Sequence, residues 1–113
     1  LILKEFSSEY FEVNQQSNFM ELALRFKKQV VNKIPGVVHI DQTGRLQTVN
    51  KKYNPKFYNL INEFFKLTQI PLILNTSFNI QGEPIVCSIE DAIKNFYLSG
   101  LDKMYIGDYE ISK

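Results

Sequence analysis

The pattern of apolar and polar residues along the chain predicts two helices. In residues 55–68 the apolar side chains recur at the spacing of one helix face, at Phe57, Leu60, Ile61, Phe64 and Phe65. Asn54 offers an N-cap oxygen and Pro55 suits the first helical position. Ser88 and Asp91 form a capping box for the second helix. Its apolar face comprises Ile89, Ala92, Ile93, Phe96 and Tyr97, and Gly100 marks its end.

The remaining pattern predicts strands and one short helix. Residues 19–26 alternate as a half-buried strand does, although a helix is also compatible with them. Residues 37–50 read as a β-hairpin around a turn from Asp41 to Gly44. Residues 70–74 form a continuous apolar run, which is typical of a central strand covered on both faces. Shorter elements are predicted at residues 4–13 (helix), 84–88 (edge segment), 103–107 and 109–112 (a strand pair).

A polar string, NTSFNIQGEP, follows the predicted central strand at residues 75–84. Ligands often gather where loops leave the carboxyl ends of buried strands. Asn75, Thr76, Ser77 and Asn79 carry neutral donors and acceptors, which suit an uncharged polar ligand or phosphate oxygens. The alternative is that these residues only cap and turn the backbone. The string has neither the phosphate-binding P-loop spacing nor that of a nucleophile elbow.

A polar stripe also marks the predicted hairpin, where His39, Asp41, Thr43, Arg45 and Gln47 alternate with other residues. In an extended conformation they would share one face. The Arg45 guanidinium could bind phosphate through two parallel hydrogen bonds. The alternative is a surface arginine on a solvated hairpin.

His39 could act as a general acid or base, or donate to a phosphate. A hydrogen-bonded structural or ligand-orienting role is favoured, because the histidine stands alone within VVHI. No metal site is predicted, because no second histidine or close carboxylate pair stands at ligand spacing. Cys87 is expected to be a buried packing residue.

Composition narrows the function classes. The 113 residues are expected to form one compact domain spanning 1–113. A net charge of +1, from 13 Lys+Arg and 12 Asp+Glu, argues against nucleic acid as a partner. One cysteine excludes an internal disulfide, and no apolar run reaches the roughly 20 residues of a membrane span. A cytoplasmic location is expected. Because the chain begins with Leu1, we expect it to be a piece of a longer protein.

Three long segments carry a resemblance to a known family. IPGVVHIDQTGRLQTVN, NPKFYNLINEFFKLTQIPLILNTSFNIQGEPIV and SIEDAIKNFYLSGLDKMYIGDYEISK resemble, in order, the C-terminal region of the O-carbamoyltransferases of nodulation-factor and antibiotic biosynthesis. That region is YrdC-like and is similar to the tRNA threonylcarbamoyladenosine synthases, whose Thr-Ser-x-Asn-x-x-Gly-Glu-Pro pattern matches TSFNIQGEP. The resemblance implies a partial α+β domain, with a twisted mixed β-sheet and helices packed on it.

The same resemblance implies an activity. In this family the domain binds ATP, with Mg²⁺, and carbamoyl phosphate, and it forms carbamoyl-adenylate. An N-terminal actin-like domain of the same protein, carrying an iron-type metal, then transfers the carbamoyl group to an acceptor hydroxyl. Carried over to this chain, the catalytic residues are Arg45, Ser77 and Asn79, and the substrate and nucleotide contacts are His39, Asp41, Thr43, Asn75 and Thr76.

The chain departs from the family pattern in several places. Gly36 and Gln42 replace the usual alanine and glycine, which is expected to alter the loop slightly. The family's other basic groups and its actin-like domain do not appear in these residues, so this chain alone is expected to be inactive. Two alternatives remain: a YrdC-like module that binds RNA or nucleotide without catalysis, and a ligand-free structural domain.

Overall fold

A computed structural model describes residues 1–113 and confirms the α+β class. The helices and strands, in chain order, are β1 (Ile2–Leu3), α1 (Ser7–Tyr10), β2 (Leu22–Arg25), α2 (Lys28–Val31), β3 (Thr43–Leu46), β4 (Thr48–Val49), α3 (Pro55–Thr68), α4 (Ile89–Leu98), β5 (Lys103–Ile106) and β6 (Tyr109–Ser112). Single 3₁₀ turns cover Lys4–Phe6 and Pro35–Val37. The chain divides into two compact units, Leu1–Asn75 and Thr76–Lys113.

The first unit contains two small sheets. Strand β1 runs parallel to β4 and also forms an antiparallel bridge from Ile2 to Leu72, so strand directions are mixed. Strand β2 pairs antiparallel with β3. One apolar cluster, which includes Phe11, Phe26 and Leu46, packs beneath the β2–β3 ladder. A second joins β1 and β4 to α3 through Ile61.

The second unit is built from α4 and the β5–β6 hairpin. Ala92 and Phe96 project from α4 and pack with Met104 of β5. Ser88 caps the helix, because its side chain accepts a hydrogen bond from the Asp91 N–H. The predicted helix and strand pair are both confirmed here.

Helix α3 also begins and ends close to the predicted residues. The Asn54 side chain accepts from the Phe57 N–H at 3.3 Å, and the helix stops at Gln69, whose φ is 60°. Only Ile61 of the helix is buried. The other large apolar side chains that are exposed form what we call the outer face of α3: Phe57, Leu60, Phe64 and Leu67.

The predicted hairpin over residues 37–50 is wrong. Pro35 starts a 3₁₀ turn, and residues 38–42 form a tight turn in which the His39 N–H donates to the Thr43 carbonyl at 2.8 Å. Apart from that one bond, strand β3 pairs with β2, from the earlier segment, and forms no ladder with VVHI. The alternating pattern of residues 19–26 was a strand signal, confirmed over Leu22–Arg25.

The predicted central strand at residues 70–74 is also wrong. These residues pair along one side only, with Leu3 N–H donating to Pro71 O at 3.0 Å and Ile73 N–H donating to Leu1 O at 2.9 Å. Pro71 has no N–H to extend a ladder, and Leu74 is 62% exposed. Residues 84–88 form no strand, and the helix predicted over residues 4–13 is limited to the 3₁₀ turn and α1.

Candidate functional site

The register of the β2–β3 ladder sorts its side chains onto two faces. Leu22 lies opposite Leu46 and Leu24 opposite Gly44, on the face that packs inward. Because successive strand residues alternate, the residues between them lie on the opposite, solvent side. We call these four residues the arginine face: Ala23, Arg25, Thr43 and Arg45.

The arginine face carries both arginines of the chain. Arg25 lies directly opposite Thr43, and Arg45 is two residues further along β3, a diagonal relation that typically places Cβ atoms about 7 Å apart. Both residues are exposed, and neither is in an ion pair. Two neighbouring guanidinium groups without a carboxylate partner favour an anion at this surface.

Arg25 was missed by reasoning from the sequence. The alternation in residues 19–26 does place it on the polar side of a strand, which is the only signal that could have found it. Its proximity to Arg45 depends on which strand pairs with β3, and no local pattern shows that pairing.

The turn before β3 links three of the predicted residues by hydrogen bonds. The Asp41 carboxylate accepts from the Thr43 N–H at 3.0 Å and from the Thr43 hydroxyl at 2.7 Å. These two bonds lower the pKa of Asp41. His39 Nδ1 lies 3.1 Å from Thr43 Oγ1, and it must be the donor, because the hydroxyl proton is directed to Asp41. His39 Nε2 is therefore the ring nitrogen that remains for a ligand.

Asn75 and Gln47 are brought together in the same unit. The Asn75 side chain donates to Gln47 Oε1 at 2.9 Å, and Gln47 Nε2 donates to the Asn18 carbonyl at 3.0 Å. Gln47 thus has its amide oriented by two partners. Thr76 is exposed and begins the second unit.

Ser77 and Asn79 belong to a separate, hydrogen-bonded loop in the second unit. Asn79 Nδ2 donates to the carbonyls of Ile80 at 3.1 Å and Glu83 at 3.0 Å. This fixes the direction of the amide, so that its Oδ1 accepts the Ser77 hydroxyl proton at 2.6 Å. Asn79 therefore holds the loop, and Ser77 presents oxygen lone pairs to a ligand.

Asn95 anchors that loop from α4 and was not identified from the sequence. It is 4% exposed, its Oδ1 accepts from the Ile80 N–H at 2.9 Å, and its Nδ2 donates to the Asp91 carbonyl at 3.0 Å. The available signal was a polar residue among the apolar positions of a helix face. Cys87, expected to be buried, is instead exposed.

A cavity of about 390 Å³ lies in the first unit. It is lined by residues 18–19, 47–50 and 53–54, together with Leu1. Gln47 is thus a wall of this cavity and a partner of Asn75. No group of three or more histidine, cysteine or carboxylate side chains is arranged to hold a metal ion. None of the helices combines the length and apolarity needed to cross a bilayer.

Comparison with known proteins gives a match along the whole chain. Residues 1–113 match the family described as "Carbamoyltransferase C-terminus". The chain is 41% identical to nodulation protein NolO of Bradyrhizobium diazoefficiens, over 98% of this chain and 21% of that protein. It is 41% identical to an uncharacterized protein of Methanocaldococcus jannaschii, over 99% of this chain and 22% of that protein. The chain is 39% identical to nodulation protein NolNO of Sinorhizobium fredii, over 99% of this chain and 17% of that protein. The chain spans about a fifth of the length of these relatives.

Proposed function

Because the chain belongs to the carbamoyltransferase C-terminus family, we propose that it binds ATP and carbamoyl phosphate for a carbamoyltransferase. Carbamoyl phosphate, ATP and water would give carbamoyl-adenylate, with pyrophosphate leaving from ATP and inorganic phosphate leaving from carbamoyl phosphate. The carbamoyl-adenylate would then supply the carbamoyl group to an acceptor hydroxyl. An actin-like domain of the same protein, with its own iron-type metal, would perform that transfer.

The arginine face is the observation that supports the proposal most strongly. Phosphoryl transfer needs fixed positive charge where negative charge builds up on phosphate oxygens, and little covalent chemistry from the protein. Arg25 and Arg45 each carry a guanidinium cation, and neither is in an ion pair with a carboxylate. We assign both guanidinium groups to phosphate oxygens. Mg²⁺ would arrive with the nucleotide, because these residues offer it no cluster of ligands.

The turn residues have a supporting role in this proposal. Asp41 and Thr43 hold each other, and Thr43 in turn accepts the Nδ1 proton of His39. The chain of hydrogen bonds leaves Nε2 of the neutral His39 ring as an acceptor, which can meet a water molecule of the Mg²⁺ hydration shell. Asn75 would have an indirect role, because its side-chain amide donates to Gln47 and so orients the Gln47 side chain.

The loop of the second unit suits the carbamoyl group. The Ser77 hydroxyl donates to Asn79, so towards a ligand it can act only as an acceptor while that bond persists. A carbamoyl NH₂ is a donor, whereas a phosphate oxygen is not. We therefore assign the carbamoyl amine to Ser77 and a positioning role to Asn79.

The proposal is tested by carbamoyl-phosphate-dependent pyrophosphate release from ATP, measured on the full-length natural protein. Arg45→Ala and Arg25→Ala should each raise the Kd for carbamoyl phosphate about tenfold to a hundredfold, since each removes charge-assisted hydrogen bonds. Lys28→Ala, an exposed cation on another element, is the matched control and should bind as the wild type does.

Substrate choice gives a second measurement. Acetyl phosphate has no N–H to donate to Ser77, so it should bind more weakly than carbamoyl phosphate, and Ser77→Ala should reduce the difference. Absence of carbamoyl-phosphate-dependent pyrophosphate release by the wild type would refute the proposed function. A steep loss of RNA binding with salt, without any carbamoyl phosphate binding, would instead favour the RNA-binding alternative.

A further inference from the structure

We propose that Asn95 of α4 is a positioning residue that makes the Ser77 contact selective for a ligand with an N–H group. The inference rests on the proposed function, and it goes further by naming a residue that controls which acyl phosphates the site accepts. It depends on three observations within the second unit: the hydrogen bonds from Asn95 to Ser77, the burial of Asn95, and the half-buried backbone that Asn95 holds.

A continuous series of hydrogen bonds connects Asn95 to Ser77. Asn95 Oδ1 accepts from the Ile80 N–H at 2.9 Å, and the Ile80 carbonyl accepts from Asn79 Nδ2 at 3.1 Å. Asn79 Oδ1 in turn accepts the Ser77 hydroxyl proton at 2.6 Å. The direction of the Ser77 hydroxyl is therefore related, through the backbone of Ile80, to a side chain of the helix.

Backbone groups set the direction of both side-chain amides. A backbone carbonyl can only accept a hydrogen bond, and a backbone N–H can only donate one. Asn95 Nδ2 donates to the Asp91 carbonyl at 3.0 Å, so its oxygen must face the Ile80 N–H. Asn79 Nδ2 meets two backbone carbonyls, so its oxygen must face Ser77. Either amide, turned over, would place like groups together at both ends.

The direction of the Asn79 amide decides what the Ser77 hydroxyl can do for a ligand. With the observed direction, the hydroxyl proton goes to Asn79, and Ser77 Oγ offers a ligand lone pairs only. If the amide turned over, Asn79 would donate to Ser77, and the hydroxyl proton would be free for a carbonyl or phosphate oxygen. Carbamoyl phosphate has an NH₂ group where acetyl phosphate has a methyl group. Ser77 therefore distinguishes these ligands while Asn79 keeps its direction.

Asn95 is a fixed point from which this direction can be set. It is 4% exposed, and its neighbours Ala92 and Phe96 are 6% and 0% exposed and pack with Met104. A polar side chain is stable in such surroundings when both ends of its amide are hydrogen-bonded, as they are here. The helix thus offers the loop an acceptor that does not move.

The loop that receives this bond is a tight turn over residues 80–83. The Glu83 N–H donates to the Ile80 carbonyl at 2.9 Å, and Gly82 has a φ of 88°, which the turn requires. Ile80 therefore joins the turn to Asn95 by its N–H and to Asn79 by its carbonyl.

Other contacts hold the ends of the loop, whereas Asn95 holds its middle. Phe78 and Val86 pack against the apolar cluster of α4, and the Val86 N–H donates to the Phe78 carbonyl at 3.0 Å. Without Asn95, the half-buried Ile80 N–H has lost its acceptor, which favours a shift of the turn towards water. Such a shift would carry the Ile80 carbonyl away from Asn79 and release the amide.

The test is isothermal titration of the full-length natural protein with carbamoyl phosphate and acetyl phosphate. Its readout is the preference, which is the Kd for acetyl phosphate divided by the Kd for carbamoyl phosphate. Asn95→Ala should lower the preference about threefold to tenfold, to that of Ser77→Ala. Ser88→Ala is the matched control, because it removes the cap of the same helix, at a comparable loss of stability, and leaves the series of bonds intact. It should keep the wild-type preference.

Two further variants separate positioning from stability. Asn95→Asp keeps an oxygen for the Ile80 N–H, and burial favours the protonated carboxyl, which can donate to the Asp91 carbonyl as the amide does. This variant should keep most of the preference. Asn95→Ala combined with Ser77→Ala should show the preference of Ser77→Ala alone, because both changes act through one hydroxyl.

The outcomes separate this inference from the proposed function. A wild-type preference in Asn95→Ala overturns the inference, and intact pyrophosphate release would leave the proposed function standing. A preference that falls equally in Asn95→Asp, or falls further in the double variant than in Ser77→Ala, also overturns it. A wild type that binds the two ligands equally overturns it as well. A preference that is lost in Asn95→Ala and kept in Asn95→Asp supports the inference, even if the wild type releases no pyrophosphate.

Discussion

Replacing Gly44 with alanine should destabilise the first unit severely. Gly44 is buried in β3, on the inward face of the ladder that carries Arg45. A Cβ at this position would lie 2.4 and 2.6 Å from two ring carbons of Phe26 and 3.2 Å from the Val37 carbonyl oxygen. Real Cβ atoms do not approach carbon so closely, and therefore either the ring or the strand must move.

Neither movement is easily accommodated. Phe26 is 3% exposed and stacks on Phe11, which is also 3% exposed, with the ring centroids 4.4 Å apart. A close-packed core has no free volume beside such a ring. Overpacking typically costs about 1–3 kcal/mol. The Val37 carbonyl oxygen also limits movement of the new methyl group away from the ring. We therefore expect the loss of unfolding free energy to lie near the upper end of this range, at about 3 kcal/mol.

The measurement is thermal unfolding followed by circular dichroism. For a unit of this size a loss of about 3 kcal/mol should lower Tm by roughly 12–24 °C. Gly36→Ala is the matched control, since a Cβ at residue 36 would meet nothing within 4 Å and the backbone there is not left-handed. If the Gly44→Ala and Gly36→Ala proteins have the same Tm, this account of the packing is refuted.

Three further changes test the turn and the loop. Thr43 lowers the pKa of Asp41 below its ordinary 3.8, so this stabilisation is present at neutral pH and is lost as the pH falls through the folded-state pKa. The difference in urea midpoint between wild type and Asp41→Ala should shrink on acidification below about pH 4. Gln42 has a φ of 65°, and Gln42→Gly should raise the unfolding free energy by about 0.5–1 kcal/mol, because the relief of left-handed strain exceeds the entropic cost of glycine. Asn95→Ala leaves the half-buried Ile80 N–H without its acceptor and should lower the unfolding free energy by about 1–3 kcal/mol.

Each of these changes has a result that contradicts its reasoning. A midpoint difference for Asp41→Ala that stays constant between pH 7 and pH 3 would show that the carboxylate has no folded-state advantage. Gln42→Gly should be compared with Gln16→Gly, whose φ is not positive, and equal changes in both would refute the strain. For Asn95→Ala, unchanged stability would show that water or another group replaces the lost acceptor.

Local signals predicted the long helices and the adjacent β5–β6 pair well, and the long-range strand pairing poorly. The caps at Asn54 and Ser88 and the spacing of apolar residues act within a few positions of each other, so the sequence was sufficient for α3 and α4. The pairing of β2 with β3 joins residues about twenty positions apart across α2 and a 3₁₀ turn. No local pattern distinguishes that partner from the adjacent VVHI segment.

The candidate site shows the same division. His39, Asp41 and Thr43 are joined by hydrogen bonds that span at most four residues, although a turn before β3 replaces the extended conformation predicted for them. Arg25 joins Arg45 only through the long-range ladder, and was missed. Asn95 was missed because it lies on the apolar side of α4, where a single polar residue only interrupts the apolar pattern. Its hydrogen bond to the backbone of Ile80, fifteen residues earlier, cannot be read from that pattern.

The outer face of α3 has a practical consequence for handling this chain. Phe57, Leu60, Phe64 and Leu67 are 38–86% exposed, so one side of a four-turn helix meets water with large hydrocarbon groups. Prepared alone, the 113 residues should bind the dye ANS and self-associate as the concentration rises, and Leu67→Lys should weaken both effects. Purification conditions, more than folding, would then limit what can be measured on it.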